Sequence, residues 1–121
     1  MTTNAGLTPL AGAVIVGAKG IIKLLLTHPN IKADAKNYHG STPLIMAVLS
    51  QRPEIVSLLE RDDVDINYVT DDGETPLLLA ARRRNANITK LLLDHGADTE
   101  INRELLVAAM RKQYLSVLKG F

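Results

Sequence analysis

The sequence contains no cysteine, and its 121 residues include only three tyrosines, one phenylalanine and no tryptophan. The absence of cysteine excludes a disulfide framework, a thiolate zinc site and a cysteine nucleophile. An excess of one charge sign is also missing, because 14 lysines and arginines face 13 acidic residues and the formal net charge is +1. A chain this close to neutrality has no global field that would favour nucleic acid or an anionic membrane as a partner.

A long uninterrupted hydrophobic run is missing as well. The apolar stretch 7–26 is broken by Lys19, Lys23 and three glycines, so we expect no membrane span there. It also lacks the basic leading region and clear cleavage site of a signal peptide, and we therefore expect a cytosolic or nuclear protein. Hydrophobic residues make up 46% of the chain and charged residues 22%, which is ordinary for a single folded domain.

The strongest positive signal is an internal repeat. The tripeptide Thr-Pro-Leu begins at residues 8, 42 and 75, which are 34 and 33 residues apart, and a glycine stands two residues before each copy. Threonine is a favoured helix N-cap, proline fits the first helical position, and glycine suits a turn with positive φ. In the middle unit, apolar residues at helical spacing in 44–48 and 55–59 predict two helices. The alternating segment Val64–Tyr68 then predicts an extended arm that leads into a turn at 71–73.

Helices this short are unstable alone, so the units must pack on one another in a linear stack. The pattern Gly-x-Thr-Pro-Leu, with a second helix reading Ile-Val-x-Leu-Leu, resembles the ankyrin-repeat family over nearly the whole chain. The resemblance implies an all-α repeat solenoid, an ankyrin stack of helix-turn-helix units joined by β-hairpin-like fingers. It divides the single domain 1–121 into units at approximately 4–36, 37–69, 70–101 and 102–121.

Two departures from the family pattern predict a stack of less than typical stability. The histidine that usually follows Thr-Pro-Leu is replaced by an apolar residue in each unit, which removes a polar link between units: Ala11, Ile45 and Leu78. The glycine that separates the two helices of a unit is present only as Gly17. Gln51 and Arg84 stand at the equivalent places, where a side chain adds strain.

The two ends of the chain differ from the middle units. At the C-terminus, 105–109 and 114–118 form two amphipathic segments that suit a capping unit, although without a glycine or proline between them they can also form one helix over 103–119. At the N-terminus no polar capping unit covers the first repeat. We expect its apolar residues to contact upstream repeats, a partner or a second copy: Val14, Ile15, Ile21 and Ile22. Scattered apolar exposure without function is the alternative.

In a stack of this kind the fingertips and the exposed edges of the first helices line one concave side, which packing leaves free to vary. By the family's phase, the partner-binding positions are Tyr38, His39, Ser41, Leu49, Asp71, Asp72, Glu74, Arg82 and Arg83. Tyrosine and arginine are frequent energetic anchors of interfaces, so Tyr38, Arg82 and Arg83 are the strongest candidates. The alternative is that the acids and arginines are solvated and pair with each other.

Other functions find less support in the sequence. The basic run 82–84 has no interleaved aromatic residues, and the acidic residues of the neighbouring finger would repel phosphate. His39 lies near those acids, but there is no nucleophile beside a base, no phosphate-binding loop and no helical His-x-x-x-His, so we predict no enzyme, no metal and no cofactor. Asn67 stands where hydroxylases modify the finger asparagine of some ankyrin repeats. A buried asparagine that bonds the hairpin backbone is the favoured alternative.

The sequence therefore predicts a non-catalytic protein–protein interaction scaffold that binds a macromolecular partner on its concave face. One alternative is an ankyrin segment that regulates or targets a larger enzyme or receptor. Another, with less support, is a small-molecule-binding or catalytic role.

Overall fold

Short helices arranged in pairs make up most of the computed structural model, which describes the backbone of residues 6–119 and the side chains of residues 6–112. The ends of the first and last predicted units therefore lie outside the described residues. Between residues 6 and 119 the chain forms seven helices and no strand. They are α1 (Pro9–Val16), α2 (Lys19–Leu26), α3 (Pro43–Leu49), α4 (Pro53–Leu58), α5 (Pro76–Arg82), α6 (Ala86–Asp94) and α7 (Arg103–Lys119).

The repeated tripeptide starts the first helix of each pair as the sequence predicts. Thr8, Thr42 and Thr75 are the N-caps of α1, α3 and α5, and each hydroxyl accepts a hydrogen bond from the backbone N–H three residues later. The following proline occupies the first helical position, where a missing N–H leaves no bond unmade. These local bonds explain why all three units begin in the same way.

A residue in the left-handed conformation separates the two helices of each pair. It is Gly17 in the first unit, with φ of 76°, and Gln51 and Arg84 in the next two, with φ of 54° and 56°. The N–H of the residue that follows each of them bonds back to a carbonyl of the first helix, as in a Schellman motif. A side chain at positive φ carries a cost of about 1–2 kcal/mol, which confirms the predicted strain at Gln51 and Arg84.

The helix pairs stack in two rows. In the first row α1 packs on α3, α3 on α5 and α5 on α7, and in the second row α2 packs on α4 and α4 on α6. One continuous core runs between the rows, and its largest buried side chains include Leu44, Ile55, Leu77 and Ile88. This arrangement confirms the all-α repeat solenoid.

The C-terminal unit is one helix and not a pair. The backbone continues without a left-handed residue from Arg103 to Lys119, and α7 takes the place of a first helix against α5. The residues that join the two predicted segments are good helix formers, and neither glycine nor proline interrupts them. The side chains of the second segment, including Tyr114 and Leu118, lie outside the described residues.

Two further expectations are corrected. Val14 and Ile22 are completely buried, so they cannot form an exposed N-terminal surface; α1 packs on α3 and α2 on α4, and both side chains belong to the core. Ile15 and Ile21 are exposed as expected, by 44% and 56%. The segment Val64–Tyr68 is not extended throughout, because a turn at 66–67 forms where the N–H of Asn67 donates to Oδ1 of Asp65.

No helix within residues 6–119 combines the length and the apolar character needed to cross a membrane.

Candidate functional site

Two tight fingers project from the stack, one before α3 and one before α5. In the first, the N–H of Asn37 donates to the carbonyl of Ser41, and Oδ1 of Asn37 accepts hydrogen bonds from the N–H groups of His39 and Ser41. In the second, the N–H of Thr70 donates to the carbonyl of Glu74, and the Thr70 hydroxyl accepts from the Glu74 N–H. Side chains that bond their own turn hold each finger in a fixed shape.

A groove of about 320 Å³ lies between these fingers and the first helices that follow them. Its lining comes from the two fingers and from the region of α3 and α5, and includes no residue of α4 or α6 among the described part of the chain. Seven of the nine residues predicted from the sequence line it: His39, Ser41, Leu49, Asp72, Glu74, Arg82 and Arg83. The structure therefore brings most of the predicted set into one concave surface.

Tyr38 and Asp71 do not line the groove. These two residues occupy equivalent positions in the two fingers, and each packs on the glycine that stands two residues before the Thr-Pro-Leu tripeptide of the preceding unit. A Cβ atom on Gly6 would lie 2.7 Å from Cδ1 of Tyr38, and one on Gly40 would lie 2.8 Å from Oδ2 of Asp71. Tyr38 is nevertheless 73% exposed, so much of the residue faces solvent at the fingertips.

The groove is electrostatically uneven. Arg82 forms an ion pair with Glu74, and both side chains are partly exposed. Arg83 is exposed and forms no ion pair with another described residue, and Asp72 stands on the opposite, fingertip side. The groove thus offers an unpaired cation near the end of α5 and a carboxylate at the finger.

The floor of the groove includes residues that the sequence reasoning missed. Ile45 and Leu79 lie on α3 and α5 and are 1% and 8% exposed, and Thr70 forms the base of the second finger. The sequence distinguishes Ile45, because it stands where the family has a histidine, but this change by itself predicts only a lost polar link between units. Leu79 lies within an apolar run of α5 that does not distinguish groove from core.

The connections between units rest on carboxylate and amide side chains. Oδ2 of Asp34 accepts a hydrogen bond of 2.8 Å from the N–H of Asp65, and Oδ1 of Asn67 accepts one of 2.7 Å from the N–H of Asp98. Partial burial raises the pKa of the Asp34 carboxyl, and the hydrogen bond from Asp65 offsets part of this rise. Asn67 is half-buried and not buried, and its side chain joins the second and third units through the backbone of Asp98, whereas its hydroxylation stays a prediction.

A contact between a buried glutamate and a half-exposed histidine links the second and third units on the side of α4 and α6. Glu60 follows α4, its side chain is 2% exposed, and its Oε2 contacts Nδ1 of His95, the C-cap of α6. The same Nδ1 lies 3.0 Å from the carbonyl of Leu91. Burial raises the pKa of Glu60, while the charge of His95 lowers it by a smaller amount.

Next to this pair, Arg61 donates two hydrogen bonds to Asp63 and thereby lowers the pKa of that carboxyl.

Groups suited to catalysis are not assembled in the part of the chain that the structure describes. No three histidine or acidic side chains there come together in a way that could hold a metal ion. His39 lines the groove with Asp72, but the other lining residues include no activated nucleophile beside a base.

Comparison with known proteins agrees with this architecture. A family model described as ankyrin repeats (3 copies) matches residues 1–70 and 58–120. The chain belongs to the ankyrin-repeat family. It is 36% identical over 103 residues to neurogenic locus notch homolog protein 2 of Homo sapiens and 35% identical to notch homolog protein 1 of the same species, covering 84% of this chain in each case. It is also 34% identical over 98 residues to notch homolog protein 1 of Danio rerio. The matched region is about 4% of the length of these relatives.

Ankyrin repeats are in general protein-interaction modules without catalytic activity, so the family supports this general class of function for the chain.

Proposed function

We propose that this chain is a non-catalytic scaffold that binds a protein partner in the groove between its two fingers. The observation that carries the proposal is the convergence of fingertip and first-helix residues around one concave surface. Leu49 is half-buried and Arg83 is exposed without an ion-pair partner among the described residues, so both remain available to a ligand. We place this activity in the cytosol or nucleus.

Rigidity supports the same proposal. Asn37 and Thr70 fix the backbone of the two fingers through hydrogen bonds within each turn. A preorganised surface loses little conformational entropy when a partner binds, which favours affinity from a modest contact area.

Affinity purification with quantitative mass spectrometry tests the proposal. Leu49→Ala, Arg83→Ala and Tyr38→Ala should each reduce recovery of the same partner, with Arg83→Ala and Leu49→Ala having the larger effect because they line the groove. Asn87→Ala on α6 is the matched control, since Asn87 is exposed and lies outside the groove. Full retention of every partner by both groove variants would contradict the proposal.

A second candidate function is regulation or targeting within a larger enzyme or receptor, and the N-terminal face favours it. Ile21 is 56% exposed, whereas Ile55 and Ile88 at the equivalent positions of the next two units are 2% and 0% exposed. Along the second row of helices, α4 and α6 are each covered by the preceding helix, α2 and α4. The exposed surface also includes Val16 and Leu24, at 72% and 71%. We infer that upstream repeats or a second copy cover it.

Sedimentation velocity distinguishes these two coverings. Concentration-dependent dimerisation that Ile21→Lys abolishes would show a second copy on this face. A monomer at every concentration would contradict a second copy on this face.

A further inference from the structure

A second cleft, of about 360 Å³, lies where the end of α5 meets α7. Its walls include the apolar side chains of Ala81, Leu105, Ala108 and Ala109, and the other lining residues that the structure describes are all basic: Arg82, Arg84 and Lys112. No carboxylate lines this cleft among the described residues. Arg82 also lines the groove between the fingers, so the two cavities adjoin.

The positive charges of this cleft are not neutralised equally. Arg82 pairs with Glu74. Arg84 and Lys112 are exposed and form no ion pair with another described residue. Arg103 and Arg111 line a neighbouring cavity on α7 together with Glu104. The cleft therefore carries an excess of two unpaired cations over an apolar wall.

Arg84 is present at a conformational cost. Its φ is 56°, at the position where the first unit has Gly17 with φ of 76°. Its side chain makes no hydrogen bond to the described residues, so it contributes no contact that offsets the strain. Because Gly17 and Gln51 adopt the same left-handed conformation, this backbone shape belongs to the turn, and what distinguishes Arg84 is its unpaired charge beside the cleft.

The apolar wall limits which anion fits. Leu105 is 50% exposed and forms part of the wall, and this apolar surface would stay in contact with water if only a small anion were bound. A segment that carries both carboxylates and an apolar side chain would satisfy both parts of the cleft. Phosphate backbones satisfy only the charge, and the chain's net charge of +1 gives them no wider attraction.

We propose that the cleft between α5 and α7 binds an acidic peptide segment of a protein partner, with its carboxylates at Arg84 and Lys112 and an apolar side chain against Leu105. The proposal deepens the proposed function, because it names the chemistry of a partner on the surface that continues from the groove. The cleft proposal and the groove proposal rest on different residues, so one can fail without the other.

Fluorescence anisotropy tests the proposal with defined probes. The probes are a labelled twelve-residue peptide of glutamate and leucine, the same peptide with lysine in place of glutamate, and an oligothymidylate of equal length. We expect the glutamate peptide to bind at least about tenfold more tightly than the lysine peptide, with affinity falling as salt is added. Equal or tighter binding of the oligothymidylate would instead assign the cleft to nucleic acid and overturn the proposal.

The variants separate binding from folding. Arg84→Gly relieves the positive-φ strain, so it should raise Tm while it weakens binding of the glutamate peptide about tenfold. Gln51→Gly relieves the same strain at the equivalent position without removing a charge, and it should raise Tm with unchanged affinity. Lys23→Gln removes one positive charge from α2, and it too should leave the affinity unchanged.

Leu105→Gln examines the apolar half of the cleft. We expect it to weaken the glutamate peptide severalfold, since it removes half-exposed apolar surface without altering charge. If Arg84→Gly and Lys23→Gln weaken the peptide equally, the attraction is a diffuse charge effect and the proposal is wrong. If Arg84→Gly abolishes peptide binding while Leu49→Ala and Arg83→Ala retain every cellular partner, the cleft stands and the groove proposal fails.

Discussion

Replacement of Glu60 by leucine should stabilise the protein. The carboxylate is 2% exposed, and neither of its oxygens accepts a hydrogen bond from a described residue, so the ion pair with His95 is its main compensation. Leu26 and Leu93 stand at the equivalent positions of the neighbouring units, which shows that the site accepts an apolar side chain. Because His95 is half exposed and stays hydrated without its partner, we expect a gain of about 1–2 kcal/mol at neutral pH.

The gain should depend on pH in a defined direction. Burial raises the pKa of Glu60 in the folded protein above its ordinary value of 4.5, so the folded state binds this proton more tightly than the unfolded chain. The stability that this raised pKa gives the unaltered protein is fully present below the pKa that Glu60 has in the unfolded chain, and it is lost as the pH rises through the pKa of Glu60 in the folded protein. The advantage of Glu60→Leu should therefore be smallest below pH 4.5, grow as the pH rises, and then level off.

Urea unfolding followed by far-ultraviolet circular dichroism, repeated across this pH range, measures the effect. At neutral pH the variant should also melt roughly 3–8 °C higher. Glu54→Leu on the same helix is the control; this carboxylate is exposed, so its replacement should change stability by no more than about 0.5 kcal/mol and without the same pH dependence. A Glu60→Leu variant that is less stable at neutral pH, or whose gain is equal at every pH, would refute the reasoning.

Three further tests of the repeat architecture measure the free energy of unfolding. Gln51→Gly should raise the free energy of unfolding by about 0.5–1 kcal/mol, because it removes the strain at positive φ. Ser50→Gly, at φ of −80°, should lower it by a similar amount, and the reverse order would contradict the strain. Thr42→Ala removes the hydroxyl that accepts from the Ile45 N–H and should cost about 1–2 kcal/mol, and no loss would show that the cap is dispensable. Ile55→Ala should lower the free energy of unfolding by about 2–5 kcal/mol, because Ile55 is buried. Ile21→Ala, at the equivalent but exposed position, should lower it by less than about 1 kcal/mol, and equal losses would show that Ile21 is covered.

The parts of the fold that depend on short-range interactions could be predicted from the sequence. Each threonine cap bonds to a group only three residues away, and a left-handed residue ends each first helix locally, so the tripeptide and its phase were sufficient. The form of the last unit was left open, because good helix formers between two amphipathic segments are compatible with one helix or two.

The contacts that cross between units were harder to predict. Phase located seven groove residues, but it could not show that Tyr38 packs on Gly6 outside the groove. Val14 and Ile22 were predicted on the exposed N-terminal surface because composition alone does not say which side of a helix faces the core. Glu60 was missed because nothing local distinguishes a buried glutamate at a leucine position from a solvated one.

Site-resolved photo-crosslinking tests most directly whether recognition occurs on the concave face. A photoreactive phenylalanine analogue would be placed at Arg83 in the groove, and separately at Asn87 on α6, which lies outside it. The account predicts that the Arg83 position forms a crosslink to a discrete partner and that the Asn87 position does not. Crosslinks to the same partner from Asn87 alone would contradict it.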